Sequence, residues 1–89
     1  MENIKEKLIG KVTHYFGKIG VAVIQLEDTL KLGDTIRIVG GERDFTQIVD
    51  SMEIEHKKIQ KAEGGESVGL KVVQRVRQGD KVYKIEAKE

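Results

Sequence analysis

Two phrases of this chain echo each other. Leu30-Lys31-Leu32-Gly33-Asp34-Thr35-Ile36-Arg37-Ile38 and Val76-Arg77-Gln78-Gly79-Asp80-Lys81-Val82-Tyr83-Lys84-Ile85 share one grammar. In each, a Gly able to take positive φ precedes an Asp that can hydrogen-bond nearby backbone, and an alternating run follows. The repetition predicts two equivalent corners, each feeding a strand. Gly and Asp carry the punctuation throughout, because the chain has ten Gly and no Pro. Between its turn signals lie short runs rich in Val and Ile, the β-branched residues that favour strands.

Those runs place strands at residues 9–16, 21–26, 35–39, 45–56, 67–73 and 81–86. Ile36 and Ile38 share a face, as do Val68, Leu70 and Val72, and then Tyr83 and Ile85 against Lys84 and Glu86. In the fourth run Ile48, Met52 and Ile54 fall on one face, where Asp50 fits only beside a bend. Residues 21–26 are apolar on both faces, so a loop or a partner should cover one of them. Lys57 to Glu63 ends at Gly64-Gly65 and is expected to be a loop. No helix of ordinary length is visible.

A chain of 89 residues has too little apolar surface for two full facing sheets, whereas closure buries one interior and removes exposed edges. The expectation is therefore an all-β fold, a closed six-stranded antiparallel barrel. It forms a single domain over residues 1–89, with its core at 9–86 and a charged lead-in at 1–8.

Sixteen basic and fifteen acidic side chains leave a formal charge of +1, so any hold on phosphate would need a local patch. With no Cys and only His14 and His56, neither a disulfide framework nor a zinc site is expected. The charged first residues and the absence of a membrane-length apolar run point to a cytoplasmic protein. Gly10-Lys11 and Gly17-Lys18 are followed by Val12 and Ile19, so no phosphate loop for GTP is present. No spacing announces a catalytic triad; the chain reads as a non-enzyme without cofactor or metal.

The segments Leu32 to Gly40, Val49 to His56, Ala62 to Leu70 and Val76 to Asp80 together resemble the second-domain β-barrel of translational GTPases, the elongation factor Tu and elongation factor one-alpha type. The likeness covers residues 10–85 and implies a closed Greek-key barrel standing alone, without its GTPase. The first half, from Gly10 to Asp34, also resembles the C-terminal barrel of collagenase-like peptidases that act in RNA modification.

The translation-factor resemblance implies that Glu53 contacts the terminal adenine of aminoacyl-tRNA, with His56 beside it to stack on a base or meet a phosphate. Lys57, Lys58 and Lys61 follow directly as candidate phosphate contacts, and Lys71, Arg75 and Arg77 form a second basic cluster. Tyr15, Phe16, Val21 and Val23 are instead candidates for a protein-binding surface. The leading expectation is a non-catalytic binding module that contacts tRNA, other RNA or a translation-related protein. The alternative is a purely protein-interacting or homodimerising adaptor that serves a peptidase-like or RNA-modification enzyme.

Overall fold

The structure, a computed structural model, describes residues 3–88; Met1, Glu2 and Glu89 of the expected domain lie outside the described residues. Every described strand pairing is antiparallel, which confirms the all-β class. The strands are β1 (Asn3–Phe16), β2 (Val21–Leu26), β3 (Leu30–Lys31), β4 (Thr35–Gly40), β5 (Arg43–Ile48), β6 (Met52–Ile54), β7 (Lys57–Ile59), β8 (Lys61–Ala62), β9 (Ser67–Lys71) and β10 (Lys81–Lys88). Eight of them form one sheet in the order β5-β4-β10-β1-β2-β9-β6-β7, and β3 pairs with β8.

The expected closed six-stranded ladder is not what forms. Among the described residues β5 and β7 are the two ends of the large sheet, and no backbone ladder joins them. A side chain spans the seam instead. Gln47 on β5 donates from Nε2 to the Lys71 carbonyl at 2.8 Å and accepts from the Val73 amide at 2.9 Å, so its amide stands in for two ladder bonds between β5 and the end of β9. The β6–β7 hairpin hangs beyond that seam on the far side of β9.

Residues 3–8, expected as a lead-in, are the first half of β1, the longest strand. They pair with β10, and the second half of β1 pairs with β2. Register shifts between Leu8 and Gly10 and between Val12 and His14 bend β1 as it changes partner, and such bulges increase local twist. This one strand therefore carries much of the sheet's curl.

The two predicted corners are superposable in their bonding. Asp34 Oδ2 accepts from the Lys31 amide at 2.9 Å, and Asp80 Oδ2 accepts from the Arg77 amide at 3.0 Å. Gly33 and Gly79 hold φ of 90° and 95°, a region that any side chain would strain. A third copy went unread in the sequence. At Glu63-Gly64-Gly65-Glu66 the Glu66 carboxylate accepts from the Glu63 amide at 2.8 Å, and Gly65 has φ of 95°. The longer Glu side chain does the work of Asp there.

The interior is aliphatic. Ile9 and Val12, then Ala22, Ile24 and Leu26, then Ile36 and Ile38 enter from β1, β2 and β4; Val68, Leu70 and Val82 enter from β9 and β10. Phe45 is the one aromatic among them. Two expected faces are reversed. The run 45–56 breaks between β5 and β6 around Asp50, so Phe45 and Val49 point inward while Ile48 stays 55% exposed. Backbone bonds from Gly33 to the Val49 carbonyl and from Val49 to the Asp34 carbonyl pin Val49 to the first corner and set that parity. Val82 rather than Tyr83 enters the core, because the Gly79 amide donates to the Val12 carbonyl just before β10 and fixes its phase. Residues 57–59 and 61–62, expected as loop, are short strands, since each finds a partner strand that the local sequence does not announce.

Candidate functional site

The outer face of β2, β9 and β6 carries a depression that gathers half of the candidate side chains. Register explains its shape. His14, Val23, Gly69, Glu53 and Lys58 lie in one row across β1, β2, β9, β6 and β7. Gly69 has no side chain, so the row sinks between Val23 and Glu53; a Cβ built there would touch Val21 Cγ1 at 3.4 Å and the Glu53 carbonyl oxygen at 3.9 Å. The next row holds Phe16, Val21 and Lys71. The resulting groove has a volume of about 600 Å³.

Its apolar wall is formed by Phe16 (46% exposed) and Ile19 (62% exposed) with half-buried Val21 and Val23. The ring of Phe16 stands edge-on to His14, their centroids 4.3 Å apart. The opposite lip is polar: Glu53 on β6, then Glu55 and His56, with Lys71 at the end of β9.

Glu55 and His56 are the two turn residues of the β6–β7 hairpin, between the paired Ile54 and Lys57. Both adopt positive φ, 50° and 66°. A two-residue hairpin turn of type I′ demands this of both central positions to match strand twist, and Asn-Gly is the sequence that does so cheaply. Left-handed backbone costs a residue with a Cβ roughly 1–2 kcal/mol. Replacing the pair, Glu55→Asn with His56→Gly, is expected to stabilise the fold by about 1 kcal/mol, raising Tm by about 4–8 °C in a domain of this size. Calorimetry of the double variant checks it; an unchanged or lower Tm contradicts a strained hairpin.

The sequence-derived candidates divide accordingly. Glu53, His56 and Lys71 meet Phe16, Val21 and Val23 in this one groove, so residues assigned to two separate functions share a site. Tyr15 does not line it but packs against the hydrophobic core. Lys57 and Lys58 are exposed on the hairpin beyond the lip, and Lys61 on β8 reaches Glu63 at 3.4 Å. Arg75 and Arg77 are exposed in the loop before β10 and take no part in the groove. Ile19, Gly69 and Glu55 were missed. Only register shows that Gly69 is the floor, and nothing local marks a Gly in a strand as a depression.

Among the described residues no group of three or more His, Asp or Glu is placed to hold a metal ion. The groove offers an apolar wall, two carboxylates, an imidazole and an ammonium.

Over 76 residues, 84% of the chain, the sequence is 45% identical to an uncharacterized protease of Methanocaldococcus jannaschii, covering 19% of that protein. It is 32% identical over 83 residues to a collagenase of Porphyromonas gingivalis, covering 91% of the chain and 23% of that protein. No family model matches the chain. The fold matches the crystal structure of the C-terminal domain of a protein assigned as a U32 peptidase from Geobacillus thermoleovorans, with a TM-score of 0.82 at 23% identity, covering 88% of this chain and 91% of that one. Its selenomethionine variant gives a TM-score of 0.81.

These findings overturn the affiliation with elongation factor Tu and its relatives, and the RNA-binding role drawn from it loses its ground. The misassignment has a physical source: Gly-Asp corners and alternating β-branched runs encode how an antiparallel sheet curls, and sheets that curl alike share them. The likeness to collagenase-like proteins, read at first only in residues 10–34, extends over nearly the whole chain. The chain spans about a fifth of the length of the curated relatives it matches. It has the fold of the C-terminal domain of a U32 peptidase, and its sequence is similar to segments of a protease and of collagenases.

Proposed function

We propose that this chain is a non-catalytic protein-binding module that docks a peptidase-like partner through the groove over Gly69. The observation that carries the reading is the coincidence of exposed Phe16 and Ile19 with a floor emptied by Gly69, on a sheet whose other face is the core. An aromatic anchor beside an apolar depression is what concentrates binding energy in protein interfaces. The relatives support the partner class, since the matching segments belong to longer proteins named protease and collagenase. In the same reading the curled eight-stranded sheet works as a barrel, with the Gln47 amide as the clasp between β5 and β9.

Biolayer interferometry of the immobilised chain against a purified U32-type peptidase from the same source tests it. Gly69→Val is the informative variant. The Cβ meets only ordinary contacts and a β-branched residue suits a strand, so the fold should hold or gain on the order of 0.5 kcal/mol while the groove fills. Phe16→Ala removes the anchor. Each is expected to weaken binding at least tenfold, about 1.4 kcal/mol. No binding by the wild-type chain, or binding indifferent to both changes, rejects the proposal.

A further inference from the structure

We infer that the occupant of this groove is an extended peptide segment in which an apolar side chain is followed by Lys or Arg, the apolar group seated against Phe16 and Val21 and the cation held between Glu53 and Glu55. The inference rests on the docking reading above and adds the chemistry of what docks. Charge decides it. The groove lines two carboxylates and one ammonium, Lys71, for a net charge of −1 with His56 neutral, whereas the chain as a whole carries +1.

The carboxylates are also uncommitted. Among the described residues neither Glu53 nor Glu55 makes an ion pair, although Asp28, Asp44, Glu63 and Asp80 each do. Lys58 lies opposite Glu53 across β6 and β7, yet the two form no ion pair. An anionic ligand would meet this lip at a cost, while a cation would find two acceptors on one side and an apolar wall on the other.

Spacing favours an extended segment. The wall residues Val21 and Val23 are two apart on β2, and Glu53 faces Val23 across Gly69. Successive side chains of an extended peptide point to opposite sides. A peptide lying over Gly69 can therefore send one side chain to the Phe16 wall and the next toward the Glu53 lip.

Four probes and the intact chain test this by amide chemical-shift titration. The first is an acetylated, amidated hexapeptide with Phe-Lys at its centre; the second carries Phe-Glu, the third Ser-Lys, and the fourth is a single-stranded RNA decamer. The Phe-Lys peptide is expected to shift the amides of Val21, Val23, Glu53 and Gly69 and to bind at least fivefold more tightly than either other peptide. Glu53→Gln with Glu55→Gln should abolish that preference, and Lys71→Glu should strengthen it. Both variants are surface changes, and an unaltered spectrum outside the groove shows that they fold.

Equal binding of Phe-Lys and Phe-Glu, or a preference that survives the double Gln variant, overturns the charge assignment while the peptidase-docking experiment still stands on its own result. Groove shifts from the RNA and from no peptide overturn it as well. Loss of peptidase binding in Gly69→Val together with indifference to the peptide's charge separates a failed inference from a failed docking site.

Discussion

Arg43→Met is expected to destabilise the domain by about 1–3 kcal/mol at neutral pH, because it strands a carboxylate that has almost no access to water. Asp80 is only 4% exposed, and Arg43 grips both its oxygens, Nε to Oδ2 at 2.9 Å and Nη2 to Oδ1 at 2.7 Å. Among the described residues the one other bond to the carboxylate comes from the Arg77 amide, the bond that makes the second corner. Removing the guanidinium therefore threatens a buried charge and a turn together. Native stability is only about 0.05–0.15 kcal/mol per residue, so the loss is a large part of the total.

The same pair makes a pH signature. Its hydrogen bonds to Arg43, more than the opposing effect of burial, hold the Asp80 carboxyl below its ordinary range. A carboxylate with a lowered folded-state pKa contributes its full stability above the unfolded value, about 3.9, and loses it as pH falls through the folded value. In Arg43→Met, burial without the guanidinium reverses the shift, so the deficit should shrink on acidification. Urea unfolding of both proteins at pH 7 and pH 3 reads the difference. A deficit of the same size at both would mean that Arg43 acts through packing alone. Asp80→Asn should be milder than Arg43→Met, since it leaves no enclosed charge, and Arg43 at 24% exposed can turn to water.

Ile24→Ala is the second large effect, with an expected loss of about 3–4 kcal/mol from lost burial plus a cavity that the sheet cannot close. Ile24 is fully buried at the middle of β2, between Val12 on β1 and Val68 on β9. All three belong to the inner aliphatic layer, and ladders on both sides hold β2 in place. The walls cannot collapse without breaking register, so the cavity term persists. Ile48→Ala is the control. It removes an equal side chain from a position 55% exposed and should cost well under 1 kcal/mol. If urea midpoints place the two variants together, the reversal of faces in 45–56 is wrong.

Those two residues show where the sequence was legible. Ile24 sits in a run whose apolar character on both faces was visible in the sequence; the expected cover over its outer face is not seen among the described residues, where Val21 and Val23 wall the groove instead. Asp34 and Asp80 declared their corners because Gly before Asp is a local instruction that needs no distant partner. Ile48 was misplaced because alternation carries phase only while a strand is unbroken, and the bend at Asp50 resets it. The Glu66 corner stayed hidden because a Glu can perform Asp's hydrogen bond from one methylene further away, which composition-based turn signals do not weigh.

The candidate site divides the same way. Glu53, His56, Phe16, Val21 and Val23 were each named from sequence, for two unrelated reasons. Their convergence follows from the register of β2 with β9 and of β9 with β6, a relation between segments up to fifty residues apart. Lineage lay beyond the corner code, since turn chemistry records how a sheet bends and is shared by folds that bend alike.

From its sequence alone this protein was determined to be β-rich, cornered by Gly-Asp turns and filled with aliphatic residues, since backbone preference and side-chain branching act within a few residues. Tertiary structure alone decided that the sheet leaves a seam clasped by Gln47, that Arg43 neutralises Asp80, and that Gly69 opens a groove. Each of those depends on which strand lies beside which, and long-range pairing is a choice that no short stretch of chain contains.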